Sequence, residues 1–555
     1  MGESILTNRS KKIEFILVFL FFTSIILFLT LSGYTFLGIQ DEVQLQSTLS
    51  AGDPKNYMMS YPLSVFVSFL YTKASGIPWY SILMLLYISL ISLLMTLYIV
   101  KLDYNKYLKY FLLLLFTLLL IFILFDISIT LLTFLLIVFS VPLIPNNQFF
   151  FWFLLYLASF LRVEIILSLL PLFILTYMIF MKKTFFTSKN IFIILLFAVA
   201  ILTNHYSSSM NKEYKEWLQF TKDRLYFTDL DGPDKNHILT DDEYQLARSW
   251  WICDLELYPV DKIPQAAGST IDVVTYRIFS KNSILKLLRK IYHNKILIIL
   301  ILLTAYIVFL EKNNFRRSYL LLFMLAFFAL LLVRDAQRTT FPIVILWSMI
   351  LFLEYYKRNK IILLNSFLLS ISIYIIIETP WRKVIDYQQN EQLVKEFKDL
   401  AHRNNMKLEI PSGFTSSYEL IVTVLKQNHL LQEKKWVDYN NYLLLSGWFT
   451  MHPLCLKQHD ISFKKTKRKY NTYYEYLLDS KTGIIGSKNT THINPFLSNN
   501  LLRMYDEKFT QGTDCLHKVK VVDQSNHFII NQIVKVCEQK NSIHAKDKNI
   551  STKIH

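Results

Sequence analysis

Apolar residues in this chain arrive in long runs, separated by short polar stretches that are mostly basic. Runs near 13–33, 79–100, 108–125, 127–143, 148–161, 165–181, 190–204, 293–311, 318–333, 341–356 and 361–378 cross, or nearly cross, a hydrocarbon core of about 30 Å. The pattern predicts about eleven transmembrane helices by that length criterion. The pairs on either side of Asp126 and of Arg162 also read as two long interrupted segments. The first run, from about Ile13 to Leu31, is too long for the apolar core of a secretory signal and is followed by no small-residue cleavage site, so it is expected to be retained as a helix.

Three stretches break this pattern and divide the chain. Residues 1–204 form an N-terminal transmembrane region with a first external loop at 33–78; 205–293 form a longer loop; 294–378 hold the remaining apolar helices; 379–555 form a C-terminal region. The 205–293 loop mixes acidic and aromatic residues, with helical stretches predicted around Lys212 to Arg224 and Asp241 to Trp251 and a turn at Asp229, Asp231, Gly232 and Pro233. Trp217, Trp250 and Trp251 are costly to leave in water, so the loop is expected to fold. The C-terminal region alternates helix-like runs (Glu391 to His402, Tyr418 to Leu431, Tyr473 to Leu478, Pro495 to Phe509) with strand-like ones. The strands are expected over Tyr442 to Phe449 and in a hairpin from Val519 to Val534 that turns at Gln524, Ser525 and Asn526. The fold expected is an all-α polytopic membrane domain followed by an extracytoplasmic α/β or α+β domain. No internal repeat is visible.

Composition strengthens the membrane reading. The 555 residues are 53% hydrophobic and 15% aromatic, more apolar surface than one soluble core hides. Glycine and proline number only 12 and 14, too few for the turns of a membrane β-barrel. The net charge of +17 sits beside hydrophobic segments, where cations fix orientation and meet headgroups, so nucleic acid is not an expected partner.

Charge also predicts sidedness. Arg9, Lys11 and Lys12 precede the first run, and alternate junctions are basic: Lys101, Lys106 and Lys109; Lys182, Lys183 and Lys189; Lys312, Arg316 and Arg317; Lys357, Arg358 and Lys360. The junction at Asn146 and Asn147 carries no charge. Because Lys and Arg stay cytoplasmic, the expectation is a multi-pass plasma-membrane protein with its N-terminus inside and its C-terminal region outside.

Three polar clusters then fall on the external face. Asp41 and Glu42 follow the first run, and two carboxylates beyond a helix end can take a proton from a hydroxyl or bind a divalent metal; equally, they can simply solvate the helix end. Arg162 and Glu164 interrupt an apolar stretch, where ionisable groups face protein or water; the plain alternative is a local ion pair. Arg334, Asp335, Gln337 and Arg338 put cations on the side the others avoid. A phosphate at headgroup level would explain them by bidentate hydrogen bonds, and snorkelling to lipid would explain them without one.

Taken together, the chain resembles the polytopic GT-C glycosyltransferases of bacteria. The resemblance is carried by Asp41 and Glu42 in the first external loop, the Pro-containing segment Tyr61 to Trp79, and the order Trp217, Arg224, Asp229, Asp242, Tyr244, Trp250 and Asp254 in the long loop. It covers the membrane region and the long loop, about two thirds of the chain, and not the C-terminal region. It implies transfer of a sugar from a polyprenyl-phosphate donor to a cell-surface glycan or glycolipid acceptor at the outer face, in polysaccharide biosynthesis of the cell envelope. Asp41, seconded by Glu42, would be the catalytic base or the ligand of a divalent metal; Arg162, Arg334 and Arg338 would hold the donor phosphate, supported by Glu164, Asp335 and Gln337. Members of the family differ in metal dependence. A transporter or flippase of a lipid-linked glycan is the competing class, but it predicts mid-membrane charges and a repeat. A membrane-anchored sensor or scaffold needs far fewer helices.

The four cysteines, Cys253, Cys455, Cys515 and Cys537, all fall in segments assigned outside, where disulfides persist; three pairings are open, and no C-x-x-C spacing suggests zinc. Lys464, Lys465, Lys467, Arg468 and Lys469 form the densest basic run, a solvated loop or a contact for anionic lipid or glycan. His205, His237 and His452 show no metal-binding spacing.

Overall fold

The computed structural model describes residues 2–37, 41–50, 52–56, 58–101, 106–141, 148–162, 212–228, 232–234, 237–248, 261–269, 281–293, 295–311, 314–333, 343–348, 361–379, 407–410, 442–444, 482–487, 501–509, 515–526 and 528–537, with single positions or pairs between them. In the N-terminal part these form α1 (Gly2–Leu31), α2 (Asp41–Ser50), α3 (Tyr61–Lys73), α4 (Trp79–Lys101), α5 (Lys106–Phe125), α6 (Ile129–Ser140) and α7 (Gln148–Leu161). The long loop holds α8 (Lys212–Thr228), α9 (Asp241–Arg248) and α10 (Ile263–Ala266). Then come α11 (Lys281–His293), α12 (Lys295–Leu310), α13 (Asn314–Val333) and α14 (Ile361–Glu378), and in the C-terminal region α15 (Leu501–Phe509) and five strands.

Three helices are long and apolar enough to cross a bilayer: Ser10–Leu31 within α1, Trp79–Val100 within α4, and α5. They make the chain a membrane protein and carry the partner expected first, a lipid bilayer. The expected eleven spans are not reached among the described residues, partly because α6 has only 12 residues. At 1.5 Å per residue it covers about 18 Å, short of a 30 Å core. The expected spans at 165–181 and 190–204 lie largely outside the described residues, and that at 341–356 is described only at 341, 343–348, 350 and 351.

The helices sort by what surrounds them. On α1, Leu17, Phe28 and Leu31 are more than half exposed, as lipid-facing residues are, whereas every residue of α6 is buried. Around α6, Phe116 of α5 meets Phe139 edge-on at 5.3 Å, and Phe122 stacks on Phe341 at 4.1 Å. Several of the polar atoms that apolar helices bury find partners within the bundle. Thr133 Oγ1 donates to Ile129 O, Thr304 Oγ1 to Leu300 O, and Trp347 Nε1 donates to Thr304 Oγ1 at 2.9 Å.

Two contacts set how α1 and α5 run. Near their starts, Lys109 Nζ and Glu14 Oε1 form an ion pair at 2.6 Å. Near their ends, Phe36 N–H donates to Leu124 O at 3.0 Å, and Ile127 N–H donates back to Phe36 O at 2.8 Å. The two helices therefore run parallel, and the break predicted at Asp126 is real: Leu37 and Ile127 pair there as a parallel bridge.

Between α8 and α9 only glycine fits at position 232, since a Cβ there would lie 2.3 Å from the Tyr226 ring; Asp229 and Asp231 of the predicted turn lie outside the described residues. Trp217 is buried, as expected; Trp250 and Trp251 lie outside the described residues.

In the C-terminal region β1 (Lys407–Ile410), β2 (Tyr442–Leu444), β3 (Thr482–Ser487), β4 (Cys515–Gln524) and β5 (Phe528–Cys537) form one sheet in the order β2-β1-β3-β5-β4. β1 pairs in parallel with β2 and β3, while β5 runs antiparallel to β3 and β4. The predicted hairpin is β4–β5, and the predicted strand from Tyr442 is β2; β1 and β3 are additional. Cys515 and Cys537 sit opposite each other at the open end of the hairpin and form a disulfide, which selects one of the pairings left open. Cys253 and Cys455 lie outside the described residues, as does the basic run from Lys464 to Lys469.

Candidate functional site

The site grows from the start of α6, where the chain restarts a helix deep inside protein. Such a start leaves unpaired N–H groups and the positive end of the helix dipole. Ser128, extended at φ −138° and ψ 143°, caps it, its Oγ accepting from Leu131 N–H at 3.1 Å. Glu42 supplies the other acceptor from 87 residues upstream: its Oε1 takes the Ile129 N–H at 2.9 Å. Its Oε2 accepts a hydrogen bond from the Tyr80 hydroxyl. Tyr80 is itself held by its own N–H, which donates to Tyr71 Oη at 3.0 Å. Glu42 is 2% exposed, so its carboxyl group stands sealed in the bundle, its two oxygens held by a helix N-terminus and a phenol.

Arg162 arrives at the same helical turn from the end of α7. Its Nη1 donates to Thr130 Oγ1 at 2.7 Å, one residue beyond the N–H that Glu42 accepts. Only 7% of Arg162 is exposed, and among the described residues its Nε has no hydrogen-bond partner. A buried guanidinium edge without a partner is costly, and an anion is its natural complement. The segment between α2 and α3 is fastened beside it, since Ser60 N–H and Oγ both donate to Phe160 O, at 3.2 and 2.5 Å.

That segment is ordered by its own polar residues. Asn56 Oδ1 accepts from Met58 and Met59 N–H, and its Nδ2 donates to Ser64 Oγ at 2.7 Å. Asp53 accepts from Lys55 N–H at 3.0 Å; burial pushes its carboxyl above the usual range, and the Lys55 N–H and ammonium only partly offset that. The Pro-containing segment predicted before the second span is α3, with Pro62 in its first turn.

Two of the predicted site residues, Glu42 and Arg162, thus meet on consecutive residues of α6. Asp41 opens α2, next to Glu42; its side chain lies outside the described residues, as do Glu164, Arg334, Asp335, Gln337 and Arg338. Tyr80, Ser128 and Thr130 belong to the site without having been anticipated. The only signal was the polar spacing Asp126, Ser128, Thr130 within an apolar stretch. Glu42 does not fit a metal as it stands: both oxygens already accept hydrogen bonds, and among the described residues no three His, Cys, Asp or Glu side chains gather.

Further along, Arg503 of α15 pairs with Asp242 of α9, joining the C-terminal region to the long loop. The C-terminal region also reaches the membrane helices: Leu430 N–H donates to Thr35 O at 3.2 Å, and Ser81 Oγ donates to Leu430 O. Set against known proteins, the chain matches no family model, no curated protein and no solved structure.

Proposed function

We propose that the protein is a multi-pass membrane glycosyltransferase of the GT-C type, moving a sugar from a polyprenyl-phosphate donor to a glycan or glycolipid acceptor outside the cell. The observation that supports it most is the meeting of Glu42 and the buried, partly unpartnered Arg162 at one helix turn, from segments 120 residues apart in number (162 less 42). Asp41 takes the proton of the acceptor hydroxyl as that oxygen bonds to the anomeric carbon. The bond to the donor phosphate breaks with its electrons, and Arg162 takes up the charge that develops on the leaving phosphate, joined by Arg334 and Arg338. Glu42 positions this end of α6 by neutralising its dipole.

Sidedness follows the same proposal. The parallel run of α1 and α5 agrees with alternating crossings, and the Cys515–Cys537 disulfide agrees with an oxidising compartment for the C-terminal sheet.

The test is transfer of label from polyprenyl-phosphate sugars to a surface polymer, using the full chain in native membranes. Asp41→Asn should abolish transfer while the protein remains folded; full activity in that variant would remove the central assignment. Movement of labelled lipid across the bilayer with no transfer of the sugar would assign the chain to flippases instead.

A further inference from the structure

Directly before the apolar helix α12 lies α11, whose sequence KNSILKLLRKIYH contains four Lys or Arg and no acidic residue. Its surface divides into three strips. Leu287 and Ile291, one turn apart, pack against the hydrophobic core and fix the helix to the body of the protein. Beside them Ile284, Leu285, Leu288 and Tyr292 form a second, solvent-accessible strip: they are 42%, 43%, 55% and 76% exposed. The positions of Lys286, Arg289, Lys290 and His293, spaced by three and four residues, make up the third, and Arg289 is exposed.

Four large apolar side chains in water are expensive, and scattered exposure does not explain a continuous strip bordered by cations on one side. Three facts identify what covers it. The strip continues toward α12, where Leu302 and Phe309 are 64% and 80% exposed, as residues facing acyl chains are. The adjoining charge is entirely positive, complementary to anionic headgroups. Tyr292, at the junction of the two helices, has the amphipathic ring that favours the depth between headgroups and chains.

We propose that α11 is an interfacial helix that binds an anionic phospholipid surface, lying in the membrane plane with Ile284, Leu285, Leu288 and Tyr292 in the acyl boundary and Lys286, Arg289 and Lys290 among the headgroups. Helices of this composition bury their apolar face about 5–10 Å into the boundary region. This requires no enzymatic activity and does not depend on which side of the membrane α11 occupies.

The full chain, with Cys253→Ser and Cys455→Ser to leave the native disulfide alone, is reconstituted into bilayers of phosphatidylcholine with and without phosphatidylglycerol. A spin label is attached through Leu288→Cys or Lys286→Cys, and its collisions with oxygen and with an aqueous nickel complex are compared. The label at 288 is expected to favour oxygen and to sit about 5–10 Å below the phosphates, with the label at 286 favouring nickel. Joint Lys286→Gln, Arg289→Gln and Lys290→Gln substitution should bring the depth at 288 in anionic bilayers back to its value in neutral ones. A label at 288 as open to nickel as the one at 286 would overturn the proposal. So would a label at 288 shielded from both probes, which would mean a protein partner covers the strip. Equal depth in both bilayers, before and after neutralisation, would overturn the assignment to anionic lipid.

Discussion

Two helices in this protein solve the same problem by opposite means. At the start of α9 the orphan N–H groups are satisfied within four residues: Thr240 N–H donates to Glu243 Oε2 at 2.9 Å, and Glu243 N–H donates back to Thr240 Oγ1 at 3.3 Å. At the start of α6 Ser128 supplies one acceptor, and the other comes from Glu42, on a different helix 87 residues away. The reciprocal box stands at the protein surface, where water would serve if it failed. Glu42 is 2% exposed and removed from the surface, so the second partner is obligatory. Moreover, Glu42 does more than cap: it accepts a hydrogen bond from the Tyr80 hydroxyl, and so ties α2, α4 and α6 into one assembly. A cap built from far away couples the helix start to the fold of the whole bundle, and brings a charge to a place the local sequence does not mark.

The difference breaks most visibly at Arg162, if the distant assembly also handles the donor. Arg162→Ala should lower transfer by about a hundredfold to a thousandfold, the usual loss when one charge-stabilising donor is removed. The effect should be concentrated in donor use, measured as transfer rate against donor concentration. A loss accompanied by equal loss of folded protein would reduce Arg162 to a structural partner of Thr130.

Next in size is the cap itself. Glu42→Ala strands the Ile129 N–H and the Tyr80 hydroxyl, both buried, and at about 1–3 kcal/mol for each it should cost about 2–6 kcal/mol of stability. Thermal unfolding of the purified protein in detergent reads this directly. Glu42→Gln keeps an acceptor for one of the two donors and should lose distinctly less. If the two variants melt together, the negative charge at the helix N-terminus, and not the hydrogen bonds, is what matters.

By contrast, Thr240→Ala at the surface box should cost only about 1 kcal/mol. Here pH offers a second handle. Burial pushes the Glu243 carboxyl upward, but the Lys262 ammonium at 2.6 Å and the Thr240 groups outweigh it, so its pKa lies below the usual carboxylate value. Its contribution is therefore present above the unfolded pKa and lost as pH falls through the folded one. A Thr240→Ala variant as damaged as Glu42→Ala would erase the distinction between local and distant caps.

The same distinction governs what could be read from the sequence. The long apolar helices α1, α4 and α5, the break at Asp126 and the β4–β5 hairpin were all legible, because each is written in the period or punctuation of neighbouring residues. Glu42 and Arg162 were legible as misfits, since a charge beside an apolar run demands a reason. Their meeting on Ile129 and Thr130 was not, because nothing local specifies which helix turn a buried side chain reaches. Strands β1 and β3 escaped for a related reason: four and six residues long, they are selected by pairing with partners elsewhere in the chain. The amphipathic α11 was hidden by its position, adjacent to an apolar run that draws attention first.

The mildest test lies between the two extremes, in the C-terminal sheet. Asp506 of α15 accepts a hydrogen bond from the backbone N–H of His517 and, at 2.7 Å, is hydrogen-bonded to its Nδ1, across only 11 residues. The His517 side chain is fully buried; desolvation lowers its pKa, and the Asp506 carboxylate only partly resists. With a folded pKa below the unfolded value, the unfolded chain binds the proton first as pH falls. The sheet should therefore lose stability as pH drops below about 6.5 and approach a new plateau below the folded pKa. His517→Asn, which does not titrate in this range, should flatten that dependence, seen as a melting temperature of the sheet that no longer falls across the interval. A dependence of opposite sign would mean that the pairing with Asp506 outweighs burial. The mid-range contact would then behave like the surface box, held by an ion pair, rather than like the sealed carboxylate at the start of α6.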